Sequence, residues 1–194
     1  MDLISFFFSR YTELHERIIP MMLSNLTETE IRNMHDKTLN PIAWLVWHMA
    51  RAEDVGINRM VIDGEQVFDE GDWETKLGVA TRNAGTGMTG EEVDSLARSI
   101  DLNALEDYRA AVFQQTKNVL NTLSVQSLSE IPSFPYLQKV FCTEGVLPKH
   151  TWQLLELYRG KTKGWFLMHL GETHNFYHLG QISMIRKLLK HDKK

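Results

Sequence analysis

The sequence predicts an all-α fold, an up-and-down four-helix bundle with long decorated inter-helix connections, on three observations. Apolar residues recur at three- and four-residue intervals in four long stretches. Helix-start signals precede several of these stretches, and glycines and prolines concentrate between them. At 194 residues, 43% hydrophobic and 24% charged, the chain is expected to form one domain over residues 1–194 with a core of its own.

Leu3, Ile4, Phe7, Phe8, Tyr11, Leu14, Ile18, Met21 and Met22 follow a helical period, so a first helix is predicted over about residues 2–24, bent or broken at Pro20. Thr27 with Glu30 resembles a capping box for a short helical turn. Asn40 followed by Pro41 places a good N-cap before the residue tolerated at the first helical position. A second helix is therefore expected from there to about Ile62, stopped by Asp63 and Gly64. Gly71, Gly78, Gly85, Gly87 and Gly90 predict a long loop, with Trp73 as its anchor. Thr89 with Glu92 caps a short helix. Asp101 precedes a stripe of Leu105, Tyr108, Val112, Thr116, Val119, Leu120 and Leu123, giving a third helix over about residues 102–124. Pro132, Pro135 and Pro148 break the next segment, leaving Val140 and Phe141 for a short extended piece. A turn at 151–158 ends at Gly160, and a last helix covers about residues 163–190.

The formal charge is −4, which argues against nucleic acid as a partner because phosphate neutralisation needs a basic face. Lys187, Lys190, Lys193 and Lys194 read as a solvated helix end that complements the helix dipole. The single cysteine, Cys142, permits no intramolecular disulfide, which fits a reducing compartment. The start, MDLISFFFSRYTE, has no basic n-region and makes a poor signal peptide. No stretch approaches the roughly 20 apolar residues of a membrane span. A cytoplasmic protein without membrane contact is expected.

Two histidines four apart, His174 and His178 in GETHNFYHLGQI, carry the most chemical information. Residues at i and i+4 have Cβ atoms about 5–6 Å apart, so two imidazoles can converge on one cation. A catalytic metal usually takes a third protein ligand. The candidate is His48, which follows the apolar run PIAWLVW. An HxxxH pair also fits two unrelated helix histidines, and a lone histidine on an apolar helix is commonly a core residue bonded to carbonyls. His15, His35, His150 and His191 sit in surface-like contexts. His169 lies five residues before His174, about 140° away at roughly 100° per residue, and is left out of the site. Within one turn of the histidines, Trp44, Arg51, Tyr177 and Gln181 are candidate pocket residues. Each has an ordinary alternative: core aromatics for Trp44 and Tyr177, an ion-pair partner for Arg51, and a cap or interhelical bridge for Gln181. Glu53 and Asp54 point away from His48 and are expected to be solvated or bonded to another helix.

Asn40, Pro41, Trp44, Trp47 and His48, together with Glu172, His174, His178, Gly180, Gln181 and Ile182, resemble the DinB-like superfamily. These are four-helix bundles with one metal on a histidine of the second helix and an HxxxH pair of the last. The resemblance implies His48, His174 and His178 as ligands. It departs from the commoner pattern at Phe176, Tyr177 and Leu179, where further polar residues are frequent. Similar proteins include thiol transferases that use bacillithiol and mycothiol-dependent isomerases. The expected function is thus transfer of a low-molecular-weight thiol, as co-substrate, to an electrophilic small molecule. A metal-dependent hydrolase and a non-catalytic metal-binding stress-response protein are the alternatives. Zinc is the first-choice divalent metal, with nickel and iron(II) next, since nitrogen ligands alone do not discriminate. A homodimer formed through a helix face is expected.

Overall fold

In the computed structural model, residues 2–36 and 38–191 are described, the last of them by backbone alone. The expectations for the His191 side chain, Lys193 and Lys194 lie outside that range. The fold is all-α, and among the described residues the one β-type pairing is an isolated bridge between Asp36 and Leu39. Four long helices form the body: α1 (residues 3–23), α2 (residues 42–61), α3 (Leu102–Leu120) and α4 (residues 163–191). α2 packs on both α3 and α4, and α1 touches the same two helices.

Local chemistry explains most helix starts. Asp2, Asp101 and Thr162 cap α1, α3 and α4 by accepting from Ser5, Ala104 and Trp165 backbone N–H groups, each satisfying a donor that the first turn leaves unpaired. Thr27 with Glu30 and Thr89 with Glu92 form complete capping boxes, opening Glu28–Arg32 and Gly90–Ser99. Pro41 itself occupies the cap of α2, and its carbonyl accepts from Leu45 at 3.0 Å. α2 thus begins one residue later than its sequence signal.

Three of the four long helices contain a π turn: Leu14–Ile18, Val55–Val61 and His169–Thr173. The break expected at Pro20 is corrected by the first of these. α1 continues through the proline because Pro20 falls in the first turn of the following α segment, where its missing N–H costs little. Val140 and Phe141 are not extended. Ser133 caps a helix at Phe134–Gln138 with Pro135 in its first turn, so that proline starts a helix, and a π turn continues it over Lys139–Thr143. The glycine-rich connection folds into two short helices, Val67–Glu70 and Trp73–Leu77. Trp73 anchors them, its ring 5.3 Å from that of Tyr108 on α3.

The apolar interior divides in two. One cluster holds Ile42–Ala50 of α2 with Leu14, Ile19, Val112, Leu179 and Ile182. The other holds Val55–Val61 residues with Phe7, Tyr11, Val119, Phe166 and Leu170. The buried polar residues include His15, His48, Glu53, Thr116, Asn175 and His178. Among the described residues no helix is long and apolar enough to cross a membrane.

Candidate metal centre

α2 and α4 bring three histidines together. His48 and His178 are each 7% exposed, and His174 is half-buried. Ring centroids are 4.9 Å apart for His48 with each of the others and 4.5 Å for His174 with His178. One nitrogen from each ring lies within 4.8 Å of the other two, and the Nε2 atoms of His174 and His178 are 3.1 Å apart. Two nitrogens at about 2.0–2.1 Å from one tetrahedral cation stand about 3.3–3.4 Å apart, so the pair is already near ligand spacing. The close helix approach depends on Gly56 of α2, where a Cβ would fall 2.5 Å from the Leu170 Cβ of α4.

Outer partners orient two of the rings. Nδ1 of His48 donates to the Ala84 carbonyl, and Nδ1 of His178 donates to Oε1 of Gln181 at 2.7 Å. In each ring the lone pair is therefore on Nε2, the tautomer that a metal ligand needs. Trp44 stacks on His48 at 4.6 Å and fixes its plane. Ala84 is held in place by Gly85, which has φ +87° and whose added Cβ would meet the Trp47 ring at 2.6 Å. Only glycine satisfies both conditions. Nδ1 of His174 is buried without a hydrogen-bond partner among the described residues. Converging lone pairs beside an orphaned imidazole nitrogen suit a cation better than they suit a self-contained hydrogen-bonded cluster, so the residues present fit a metal.

Burial pushes the pKa of His48 down to about 4, partly opposed by the Ala84 hydrogen bond. Burial, then the neighbouring His48, His178 and His169, lowers that of His174 to about 2. Burial also lowers that of His178. All three rings are neutral and ligand-competent at neutral pH. Below the ordinary value of 6.5 the unfolded chain binds protons that the folded metal-free protein refuses, so folding stability falls with pH from 6.5 towards these lowered values. Each such histidine contributes a slope of about 1.4 kcal/mol per pH unit in its window. Urea titrations of metal-free protein between pH 7 and pH 5 should show this loss, and the His48→Phe variant should show a shallower slope.

Of the predicted pocket residues, Trp44 and Gln181 touch the histidines directly, and Tyr177, 67% exposed, sets its ring 5.2 Å from His178. Arg51 does not join them. It is fully buried and donates to Asp54, Tyr108, Gln66 and the Arg82 carbonyl, because the arginine three residues on from His48 finds its carboxylate partner inside the bundle. Asp54 also accepts from Asn58 and from the Val67 and Phe68 backbone. Glu53 bonds Tyr11 of α1, Thr116 of α3 and Asn175 of α4. His15 is buried beside Glu53 at 3.1 Å, not on the surface, because the π turn carries it inward. His35 is half-buried, its Nε2 donating to the Glu30 carbonyl, and His150 is exposed. His169 stacks on Trp165, and its ring is 6.2 Å from His174. The π turn brings it round closer than a uniform α-helix would, yet it stays outside the cluster. The Ala84 carbonyl escaped the sequence reading, since a backbone acceptor in a loop leaves no residue-type signal.

In overall shape the chain is similar to a conserved protein from Enterococcus faecalis, with a TM-score of 0.71 and 21% identity over 97% of each chain. At that identity the likeness shows the fold alone. No curated protein matches the chain in sequence. The family model of the DinB superfamily matches residues 11–182, a span that includes α2, α3 and all three clustered histidines. The chain belongs to the DinB superfamily.

Proposed function

We propose that this protein is a cytoplasmic metal-dependent enzyme that transfers a low-molecular-weight thiol to an electrophilic small molecule, with His48, His174 and His178 as the metal ligands. The observation that carries the reading is a cluster of three neutral imidazoles that, among the described residues, no carboxylate or thiol joins. Such a set cancels none of a cation's charge and leaves coordination open. A divalent cation there, zinc first and nickel or iron(II) next, would supply the Lewis acidity that favours an ionised thiol. Ala84 and Gln181 hold two of the ligand rings, and Trp44 covers one face of His48 against water. Glu53 and Asp54 are committed to buried hydrogen bonds, so neither is placed to activate water. Thiol attack needs no strong protein base, whereas hydrolysis needs that help.

The test is a conjugation screen of metal-loaded protein with cysteine, glutathione, coenzyme A and bacillithiol. Product formation should require metal, saturate with thiol and vanish in His48→Ala. Cleavage of esters or amides without conjugation would replace the reading with a hydrolase. Neither reaction, with a coordinatively closed metal, would leave a binding protein. The proposal includes a homodimer, for which the apolar residues left exposed on α1 and α4, Phe6 at 52% and Met184 at 56%, offer a surface. Light scattering should give a dimer mass, and a concentration-independent monomer would rule it out.

A further inference from the structure

Beside the three histidines lies a cavity of about 40 Å³, bounded by His48 and His174 but not by His178. Its far wall is Val55 of α2, Leu170 of α4, and Phe141, Val146, Leu147 and Tyr158 from the connection between α3 and α4. Among the described residues no carboxylate, lysine or arginine lines it, and apart from the two imidazoles the polar side chains are Thr86 and Tyr158. Burial holds the Tyr158 phenol above its ordinary pKa, so it too is uncharged. An ionised substituent pressed against the apolar far wall, turned away from the cation that His48 and His174 would hold, would lose its hydration with no protein countercharge beside it, a cost that disfavours carboxylate and phosphate groups at that wall. A volume of about 40 Å³ exceeds the roughly 10–15 Å³ that one water needs on the same measure, so the cavity admits a short apolar group.

We propose that this cavity is the electrophile subsite, and that the substrate class is a small uncharged electrophile bearing a short apolar substituent next to the carbon attacked. The assignment rests on the thiol-transfer reading for the reaction. The polar thiol approaches on the His178 side, where Tyr177 is exposed. For an epoxide of this class, the thiol sulfur forms a bond to the ring carbon, the carbon–oxygen bond breaks, and the thiol proton ends on the alcohol oxygen. No other reactant is consumed. Phe141, Val146, Leu147 and Tyr158 become specificity residues supplied by the decorated connection, which the sequence reading had treated as broken chain.

Xenon, an apolar probe of similar size, tests the cavity without any reaction. In metal-free protein, methyl-detected NMR should show saturable shifts at Val55, Leu147 and Leu170. Leu147→Phe, and independently the larger change Val146→Phe, should abolish them while metal content stays as in the wild type. Absence of xenon shifts in a folded wild type overturns the subsite whatever the protein catalyses. With metal and thiol present, 1,2-epoxypropane should be conjugated at least about tenfold faster than glycidate, each relative to its uncatalysed rate, and Leu147→Ala should favour 1,2-epoxypentane over 1,2-epoxypropane by about tenfold. Conjugation that prefers glycidate, or whose chain-length preference ignores Leu147→Ala, overturns the subsite and leaves thiol transfer standing. No conjugation with any electrophile overturns thiol transfer, and the electrophile assignment falls with it even where xenon binds.

Discussion

Replacing His48, His174 or His178 with alanine should lower metal affinity by more than about 100-fold, since losing merely an outer hydrogen-bond partner of a ligand typically costs 10- to 100-fold. Each variant removes one of three nitrogens within 4.8 Å of one another, and the two that remain cannot hold a cation as firmly. Elemental analysis after exhaustive dialysis reads the effect directly. His169→Ala is the matched control, because its ring lies near His174 but outside the cluster. Its metal content should equal that of the wild type. Gln181→Ala should fall between, as it frees the tautomer of His178 without deleting a ligand. Full occupancy in the three histidine variants would remove the metal centre from this protein.

Asp54→Ala should cost about 3–5 kcal/mol of folding stability, the usual range for breaking one side of a buried ion pair. Asp54 and Arg51 are both fully buried and 3.2 Å apart, and Tyr108 of α3 donates to the same carboxylate at 2.7 Å. Removing the carboxylate leaves the Arg51 charge unpaired in the core and orphans the Val67 and Phe68 N–H groups that start a short helix. For a chain of this size, roughly 2–4 °C per kcal/mol is expected, so thermal unfolding should shift by about 6–20 °C. Arg51→Met together with Asp54→Leu should recover part of the loss, because an apolar pair of similar volume often replaces a buried ion pair at little cost. A single Asp54→Ala variant as stable as the wild type would show that the network contributes nothing to folding.

The stretches of chain that read correctly share a short range of cause. Thr27 with Glu30, Thr89 with Glu92, and Asp101 are caps whose partners lie three residues away. The convergence of His174 and His178 follows from one helical turn. His15 read as a surface residue because Glu13, Glu16 and Arg17 surround it in sequence. Its burial against Glu53 depends on a π turn and on a second helix. Arg51 read as a pocket candidate by its offset from His48, and its actual partners include Gln66, Tyr108 and Arg82, which arrive from three other segments.

By itself the sequence determined the all-α class, the approximate helix spans, the three histidines and the superfamily they resemble, because periodicity, capping and i,i+4 spacing are encoded within a few residues. Tertiary structure alone decided which ring nitrogens face inward, through the Ala84 carbonyl and Gly85, and how closely α2 meets α4, through Gly56 and Leu170. It also decided that a connection with no legible pattern walls the apolar cavity. Those features depend on where distant backbone and side-chain atoms come to rest once the two apolar clusters form, and no local residue pattern specifies that placement.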